Sequence, residues 1–486
     1  MRKIRKVMAL LLTLAMVMGM SLTVFAEPVG ASATITINHA GEKAKFNKVQ
    51  IVQADPTTTT GWNIIDEYMD EFTSANAFIG MDEQRILEGM IFEATDGKSG
   101  TEIQEFDTKY AAALDAICAT IEAPSATTGE TSPLTVNAAG VYVIRGFEED
   151  FTYGTMAAYI AFGPYDVNSG VPIGLVDTEV EAKRVPTHTE KVSDDSDKVV
   201  EIGRTVTYTV TSTVPYIAPT ELASAQYWFQ DTLQGADYVL SNDTVSVQVS
   251  TTNGFSETFT AVPTNDGEEQ SIKINLSKIL QNNAYANDQI TITYQAIVTD
   301  TYTENDASMG NGENDDSFGM DTEKLFTGEV TMTKYAEDGE TTLESAGFKV
   351  RKVGSDVDLT FIKTGDGTYE YSPNGTITEV FTGEKGTVTL SGLDLGGYEF
   401  KETTAPEGYS INSETRVAVI ELIKDKEMAT SANDILDGET TITDTKLAEL
   451  PGTGGIGTTI FTIGGCVIMI AAAGLYFASR RKHGEN

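Results

Sequence analysis

The sequence predicts a mainly β protein, with consecutive β-sandwich domains behind an N-terminal domain that mixes strands with helices. From Val185 onward, polar and apolar residues alternate with a period of two over many short segments, which is typical of half-buried strands. Turns rich in Gly, Asn and Asp separate these segments. The 486 residues include only two cysteines, Cys118 and Cys466, so the predicted sandwiches must be stabilised without a disulfide framework.

The N-terminus has the composition of a secretory signal. Basic residues at positions 2, 3, 5 and 6 precede an apolar stretch from Val7 to Val24, and a small residue follows at Ala26. A basic segment, an apolar core and a small residue at the end are the features of a signal peptide. We predict a signal peptide over residues 1–26, cleaved after Ala26, and therefore a secreted protein.

The predicted N-terminal domain spans residues 27–184. Alternation indicates strands at 34–38, 140–146 and 157–162, whereas apolar residues at helical spacing indicate helices over 63–72 and about 82–92. A further helix-like stretch ends at Cys118, which we expect to be a small core residue. This region is therefore predicted to be a β domain decorated with helices.

Residues 185–322 and 323–447 are predicted to be two β-sandwiches of immunoglobulin-like type. Alternation is clearest over 204–210, 289–298 and 387–390. The acidic stretch Asp300–Glu323 is predicted to be a loop at the boundary between the two domains. Because it lacks the correctly placed glycine of a calcium-binding EF loop, we expect no metal site there, and no cofactor is expected for the chain.

The C-terminal segment, residues 448–486, carries three features in order. The pentapeptide Leu-Pro-Gly-Thr-Gly occupies 450–454, an uncharged apolar run extends from Ile456 to Ser479, and the basic residues Arg480, Arg481 and Lys482 follow. The run is long enough for a transmembrane helix, which needs ~20 residues, and the basic residues behind it are expected to stay on the cytoplasmic side. Everything before it is then outside the cell.

This arrangement resembles the cell-wall sorting signal of Gram-positive surface proteins. The resemblance implies that a sortase recognises the motif formed by Leu450, Pro451, Gly452, Thr453 and Gly454. Cleavage would fall between Thr453 and Gly454, and the Thr453 acyl group would pass to an amine. The implied partners are a class C sortase for polymerisation, a housekeeping sortase for wall anchoring, and peptidoglycan.

Composition excludes other classes of function. The formal net charge of −39 argues against nucleic acid or an anionic membrane as a partner. The three histidines, His39, His188 and His483, are too few and too scattered for a metal site or a Ser/His pair. No Gly-rich phosphate loop is present. The chain is therefore predicted not to be an enzyme.

The third predicted domain places three ionisable residues on inward-facing strand positions. Each follows apolar residues at alternate positions: Lys334 after Val330 and Met332, Glu402 after Tyr398 and Phe400, and Asp444 after Ile442. Unpaired charge is costly in such a core. Burial lowers the pKa of a lysine and raises that of a carboxyl. The neutral amine is then a nucleophile, and the protonated carboxyl can polarise the carbonyl that the amine attacks.

These segments resemble the collagen-adhesin B-type domains. Residues 398–409 match the family's E-box, YxLxETxAPxGY, while 330–334 with 346–350 resemble its opening strands and 440–446 its last strand. In that family, a lysine forms an amide with Asn or Asp. The resemblance therefore implies a Lys334–Asp444 isopeptide bond catalysed by Glu402, with water as the leaving group because Asp stands where Asn is commoner.

The second predicted domain carries weaker signals of the same kind. Residues 227–233 resemble a segment of fimbrial second domains in which an aspartate, here Asp231, has the catalytic role. Lys191 lies in an opening strand similar to the family's PTxEKxV. The resemblance implies a bond from Lys191. Asn314 is the predicted partner because it shares the strand parity of Phe318, and Asn311 and Asp315 remain alternatives.

A lysine before the second domain has a different predicted role. Ala182 and nearby apolar residues share one strand face, so Lys183 on the other face is expected to face solvent. The region resembles the VxVxPK pilin motif of shaft pilins, although Glu181 and Ala182 replace the usual aromatic residue and proline. The resemblance implies that Lys183 attacks the acyl-sortase and is joined to Thr453 of the neighbouring subunit.

Together these features predict the structural shaft subunit of a sortase-assembled surface pilus, anchored to the cell wall, whose partners include identical pilin subunits. The alternative is a monomeric wall-anchored adhesin or an ancillary tip or basal pilin. Such a protein would use the same sorting signal without a polymerising lysine. The resemblance leaves a host surface open as a further partner.

Overall fold

The computed structural model describes residues 31–74, 78, 80–88, 100–163, 166, 172–217, 221–447 and 456–481. The predicted signal peptide and the sorting pentapeptide at 450–454 lie outside the described residues, as do residues 89–92 at the end of one predicted helix. The prediction of a mainly β protein is confirmed, because strands predominate and short helices are concentrated in the N-terminal part.

The chain divides into two compact units. The first comprises the residues up to Phe326 together with Met428–Thr430, and the second comprises Thr327–Glu427 and the chain from Ser431 onward. The first unit thus includes both the predicted N-terminal domain and the predicted second domain. The finer division into three domains stays a prediction.

The N-terminal part of the first unit forms small sheets flanked by helices. Its described elements are β1 (Ala33–Asn38), β2 (Lys45–Ala54), β3 (Trp62–Ile64), α1 (Met69–Ser74), α2 (Glu83–Glu88), α3 (Gly100–Thr120), β4 (Leu134–Val136), β5 (Gly140–Phe147), β6 (Phe151–Tyr153), β7 (Met156–Ile160), β8 (Thr178–Glu181) and β9 (Arg184–Pro186). The sheet orders are β4-β1-β8, β3-β2-β5-β7 and β6-β9.

Helix α3 and the sheet that contains β2 and β5 share one apolar core. Ala113, Ile117 and Cys118 of the helix are buried there, so Cys118 is the small core residue that the sequence suggested. The helix predicted over 63–72 is wrong in its first half. Trp62 and Ile64 are buried on alternate positions of β3, which pairs with β2, and the α-helix begins only at Met69.

The remainder of the first unit has two sheets. Its strands are β10 (Glu190–Ser193), β11 (Thr205–Thr213), β12 (Trp228–Gln234), β13 (Ala236–Tyr238), β14 (Leu240–Ser241), β15 (Thr244–Thr251), β16 (Ser256–Ala261), β17 (Thr264–Asp266), β18 (Glu269–Asn275), β19 (Gln289–Val298), β20 (Tyr302–Gly310) and β21 (Met320–Phe326). One sheet has the order β10-β11-β19-β15-β14, with β13 on β19 and β16 on β15. The other has the order β17-β18-β12-β20-β21.

The loop predicted over Asp300–Glu323 is wrong. Most of this segment forms β20 and the start of β21, which pair as antiparallel neighbours. The inward positions of β20 are Thr303, Asn305, Ala307 and Met309. Only two of these side chains are apolar, and acidic residues occupy most of the positions between them. The segment therefore lacks the alternation of apolar and polar residues by which a strand is recognised in a sequence.

The second unit also has two sheets. Its strands are β22 (Gly328–Ala336), β23 (Gly347–Lys352), β24 (Phe361–Gly365), β25 (Thr368–Tyr371), β26 (Val380–Phe381), β27 (Thr387–Leu393), β28 (Gly396–Thr404), β29 (Thr415–Leu422), β30 (Ile435–Leu436) and β31 (Gly438–Asp444). The sheet orders are β24-β25-β27-β22-β31 and β26-β23-β28-β29-β30. The first strand, β22, pairs in parallel with the last, β31, and Lys334 lies opposite Ile442.

A fourth α-helix, α4 (Ile456–Arg481), covers the apolar run that the sequence predicts to cross a membrane. Within the part of the chain that the structure describes, no helix is both long enough and apolar enough to span a membrane.

Candidate functional sites: two buried lysine clusters

The core of the second unit contains Lys334, Glu402 and Asp444 together. Lys334 is on β22 and Asp444 on the adjacent strand β31, whereas Glu402 comes from β28 in the other sheet. The exposed fraction of the whole residue is 0% for Lys334, 3% for Glu402 and 2% for Asp444. The strand alternation that predicted these inward positions thus brings one amine and two carboxyls to one point between the sheets.

The contacts in this cluster leave two carboxyl oxygens without hydrogen bonds. Lys334 Nζ donates to Asp444 Oδ1 and lies 3.0 Å from Glu402 Oε1. Glu402 Oε2 accepts the backbone N–H of Asn412 at 2.6 Å. Glu402 Oε1 and Asp444 Oδ2 accept no hydrogen bond of favourable geometry from any residue that the structure describes. The amine therefore touches the carboxyl that would become its amide partner.

Burial raises the pKa of Glu402 above its ordinary value, and the nearby Asp444 acts in the same direction. The hydrogen bond from Asn412 and the Lys334 amine oppose this shift. Because desolvation disfavours the charged carboxylate, Glu402 keeps a proton to a higher pH than an exposed glutamate. It is therefore suited to donate a proton to a carbonyl oxygen.

A second cluster lies in the first unit, again between two sheets. Lys191 on β10 and Tyr294 on β19 come from one sheet, and Asp231 on β12 and Asn305 on β20 come from the other. The exposed fraction is 2% for Lys191 and 0% for Asn305. Asp231 and Tyr294 are also buried. The predicted meeting of Lys191 with Asp231 is thus seen in the structure.

Hydrogen bonds join this second cluster into one network. Lys191 Nζ donates to Asp231 Oδ2 at 2.5 Å and to the Tyr294 hydroxyl at 2.8 Å. The Tyr294 hydroxyl donates to the same Asp231 oxygen. Asn305 Nδ2 donates to the Tyr294 hydroxyl at 3.2 Å, and Asn305 Oδ1 has no hydrogen-bond partner among the described residues. The amine and the carboxamide thus share one phenol oxygen.

Burial lowers the pKa of Lys191, and the Asp231 carboxylate opposes that shift. At a given pH, a larger fraction of the Lys191 amine is therefore neutral than for a lysine in water. Only the neutral amine is a nucleophile. The cluster contains an amine, a carboxyl and a carboxamide, which are the three groups that amide exchange requires.

The prediction of Asn314 as the partner of Lys191 is wrong. Asn314 is exposed, and its Oδ1 accepts a hydrogen bond from Lys273 Nζ at 2.6 Å on the surface. The parity argument fails because Asn314 has a positive φ of 62° in a turn between β20 and β21, where strand alternation does not apply. The alternatives fail similarly: Asn311 is exposed, and Asp315 bonds within the turn.

Asn305 is the buried amide that the sequence reasoning missed. The one signal that could have found it is the spacing of Thr303, Asn305, Ala307 and Met309 at alternate positions, because these residues share the inward face of β20. The flanking acidic residues concealed this pattern.

Lys183 does not fully face solvent, which corrects the expectation from strand parity. The residue is half-buried, and its carbonyl accepts the backbone N–H of Gly154 at 2.8 Å. Burial lowers the pKa of Lys183, while Asp115 and Cys118 of helix α3 act in the opposite direction. Strand alternation correctly placed Lys183 on the face opposite the buried Ala182. It could not show that residues distant in the sequence cover part of the Lys183 side chain.

No group of three or more His, Cys, Asp or Glu side chains among the described residues is arranged to hold a metal ion. The five residues of the sorting motif, Leu450 to Gly454, lie outside the described residues.

Two family models match the C-terminal part of the chain. Residues 328–435 match the SpaA family, described as a prealbumin-like fold domain, and residues 442–485 match the LPXTG cell wall anchor motif. The first match coincides with the unit that contains Lys334 and Glu402. Neither family denotes a catalytic activity.

A curated relative of the chain is also a bacterial surface protein. The trypsin-resistant surface T6 protein of Streptococcus pyogenes serotype M6 is 29% identical over 195 residues. The aligned part is 27% of this chain and 36% of that protein, so the chain spans about a third of the curated relative.

Two solved pilin structures are also similar. The T6 backbone pilin of serotype M6 Streptococcus pyogenes has a TM-score of 0.43 at 14% identity, covering 88% of this chain and 100% of that chain. The full-length major pilin SpaD from Corynebacterium diphtheriae has a TM-score of 0.45 at 15% identity, with the same two coverages of 88% and 100%.

A prealbumin-like domain followed directly by an LPXTG anchor motif defines a secreted protein anchored to the cell wall of a Gram-positive bacterium. These matches support the predicted likeness of the chain to the backbone pilins of Gram-positive surface pili. The predicted resemblance to such pilins and the predicted cell-wall location are therefore confirmed.

Proposed function

We propose that the chain is the shaft subunit of a covalent pilus in which a sortase joins Thr453 of one subunit to Lys183 of the next. Each of two β-sandwiches, within the predicted domains 185–322 and 323–447, is stabilised by an autocatalytic isopeptide bond. The observation that carries this proposal is the buried contact between Lys334, Glu402 and Asp444. An amine and two carboxyls in an apolar core are costly as ions but productive as reactants.

In the second unit, the neutral Lys334 amine attacks Cγ of the Asp444 carboxyl. Protonated Glu402 donates a hydrogen bond to the carbonyl oxygen as negative charge develops there, and it shuttles a proton from the amine to the departing oxygen. One C–N bond forms, one C–O bond breaks, and water leaves. The contact between Nζ and Asp444 and the raised pKa of Glu402 support this sequence of steps.

In the first unit, the Lys191 amine attacks Cγ of Asn305, and ammonia leaves. Asp231 takes a proton from the Lys191 ammonium to generate the nucleophile. The hydrogen bond between Lys191 and Asp231 and the full burial of Asn305 support this assignment. Asn305 replaces Asn314 as the proposed partner.

A mechanical role follows from the position of the Lys334–Asp444 bond. It would connect the first and last strands of the unit, β22 and β31, which are parallel neighbours. Lys334 and Asp444 are 110 residues apart, and closing a loop of this length stabilises the fold by about 4–5 kcal/mol on the cross-link entropy model. Tension on the chain ends would then pass through a covalent tie rather than through hydrogen bonds.

Polymerisation would use Lys183 as the acyl acceptor. Its lowered pKa supports a role as nucleophile because a larger fraction of the amine is neutral at a given pH. A class C sortase would catalyse this step, and a housekeeping sortase would attach the finished fibre to peptidoglycan.

The test is peptide mapping of material released from the native cell wall, comparing the unaltered chain with Lys183→Arg. Lys43→Arg is the matched control because Lys43 is an exposed lysine of the same unit. We expect a high-mass ladder with a Thr453–Lys183 linked peptide in the unaltered chain and in Lys43→Arg, but not in Lys183→Arg. Monomers bearing only peptidoglycan fragments in all three samples would exclude polymerisation.

The half-burial of Lys183 favours a second candidate function. A wall-anchored adhesin or an ancillary tip or basal pilin needs no accessible acceptor lysine, and it could retain both internal bonds. In that case, the same mapping experiment would yield internal cross-links without a ladder.

A further inference from the structure

We infer that Tyr294 is a further catalytic residue, whose hydroxyl relays one proton from the Lys191 amine to the ammonia that leaves Asn305. The inference rests on the proposed Lys191–Asn305 bond and adds to it a group that the sequence analysis did not single out. Its basis is the position of one phenol oxygen between the attacking nitrogen and the leaving nitrogen.

The Tyr294 hydroxyl contacts every reacting group in the cluster. Lys191 Nζ donates to it at 2.8 Å, and Asn305 Nδ2 donates to it at 3.2 Å. The hydroxyl proton itself points to Asp231 Oδ2. General acid–base catalysis requires a group within hydrogen-bond distance of both the donor and the acceptor of the proton. Tyr294 meets that requirement for both nitrogen atoms.

The reaction needs one net proton transfer between these nitrogens. When the neutral Lys191 amine adds to Cγ of Asn305, its nitrogen carries one surplus proton, and the carboxamide nitrogen needs one proton to leave as ammonia. The phenol oxygen accepts the proton from Nζ. Its own hydroxyl proton turns away from Asp231, which the proton taken from the Lys191 ammonium has already neutralised, and passes to Nδ2. One C–N bond forms and another breaks, ammonia departs, and the phenol is regenerated without any co-reactant.

The surroundings keep the phenol protonated and aligned. Burial raises the pKa of Tyr294 well above its ordinary value, and the adjacent Asp231 adds to this shift. Tyr238 donates a hydrogen bond to Asp231 Oδ1 at 2.7 Å, which leaves Oδ2 directed towards Tyr294. Tyr238 touches neither Lys191 nor Asn305 in any hydrogen bond between described residues, so it is a positioning residue.

The cluster in the second unit is built differently. Its amine contacts two carboxyls and lies 5.6 Å from the centroid of the Phe348 ring, and no hydroxyl group hydrogen-bonds to Lys334 among the described residues. There, the leaving group is water and a carboxyl moves the proton. The ammonia-releasing site therefore has a phenol relay that the water-releasing site does not share.

The experiment follows cross-linking during cell-free synthesis of the full chain, with timed digestion and quantification of both linked peptides. Tyr294→Phe removes only the hydroxyl. Tyr227→Phe is the matched control because Tyr227 is also a buried tyrosine of this core. Among the described residues, its hydroxyl hydrogen-bonds only to the Met309 sulfur, at 3.8 Å. The Lys334–Asp444 peptide in the same molecules serves as an internal standard.

We expect the Lys191–Asn305 peptide to form at least about 100-fold more slowly in Tyr294→Phe, which is the usual scale for losing an acid–base group. Its rate should be unchanged in Tyr227→Phe, and the Lys334–Asp444 peptide should form normally in both variants. An unchanged rate in Tyr294→Phe would overturn the relay. Absence of the Lys191–Asn305 peptide from the unaltered chain would instead overturn the proposed bond itself, and the relay with it.

A second variant distinguishes a relay from a packing role if Tyr294→Phe does not fold. Site-specific replacement of Tyr294 by difluorotyrosine keeps the hydroxyl and nearly the same shape but makes the phenol a stronger acid and a weaker acceptor. A relay predicts a change in the bond-forming rate of about threefold or more, because proton-transfer rates depend on the acidity of the relaying group. A rate equal to that of the unaltered chain would show that Tyr294 only fills space.

Discussion

Lys334 Nζ lies 3.0 Å from Glu402 Oε1, and the side chains of both residues are wholly excluded from solvent. The two residues come from strands in opposite sheets, so the contact exists only when the sandwich has closed. The reactive geometry is therefore a product of folding. This explains how an amide could form once per molecule without an external enzyme.

Glu402→Gln should prevent or greatly slow the Lys334–Asp444 bond, because the amide cannot supply the proton that the carboxyl donates. We expect at least about a 100-fold lower rate and retention of the water that is otherwise lost. Unfolding in urea should show a loss of stability of about 4–5 kcal/mol from the missing cross-link. Glu399→Gln, on the same strand but paired with Arg351 outside the core, is the control.

Asp444→Asn should retain the bond but change the leaving group. The loss at this site would become about 17 Da, for ammonia, instead of about 18 Da, for water. Because the linked product is identical, the linked peptide must have the same mass in the variant as in the unaltered chain, and the loss is calculated from the unlinked mass of each sequence. A variant that retains an unlinked Lys334 would argue that the site requires a carboxyl partner.

Asn305→Ala and Asn314→Ala should have opposite results. Removing the buried Asn305 amide should abolish the Lys191 cross-link, whereas removing the exposed Asn314 should leave it intact. Peptide mapping of both variants checks this directly. A cross-link that persists in Asn305→Ala and disappears in Asn314→Ala would reverse the assignment made from burial.

Lys183 should become neutral at a lower pH in the folded chain than in the unfolded chain, because burial lowers its pKa from the ordinary 10.5. Amine labelling over a pH series, followed by peptide quantification, gives the midpoint in each state. We expect the midpoint in urea to lie near 10.5 and that of the folded chain to lie below it.

The same shift has a defined effect on stability. Since the folded pKa of Lys183 is the lower one, the unfolded chain binds more protons between the two values, and stability rises with pH over that window. Equal midpoints in the two states would contradict the burial of the amine.

Strand parity predicted the third-domain cluster well because each reactive residue continues an apolar alternation. Lys334 follows Val330 and Met332 at alternate positions, so all three side chains lie on the buried face of the strand. The parallel pairing that brings Asp444 beside it joins segments far apart in sequence, and only the resemblance to the collagen-adhesin domains suggested it before the structure did.

The same reasoning failed where parity lost its physical basis. Asn314 lies in a turn with positive φ, so counting in twos from Phe318 had no meaning there. Asn305 belongs to a true strand whose inward face is half polar, which hydrophobic patterning cannot detect. The position of Tyr294 in its cluster and the partial burial of Lys183 both depend on contacts between segments distant in the sequence. These contacts exist only in the folded chain.

The most direct test of the account is the accurate mass of the folded full chain, followed by peptide mapping of the regions around Lys334 and Lys191. The account predicts two linked peptides, with losses of about 18 Da at Lys334–Asp444 and about 17 Da at Lys191–Asn305. A mass equal to that of the unmodified sequence would contradict it, because both clusters would then be buried ion pairs and not covalent ties.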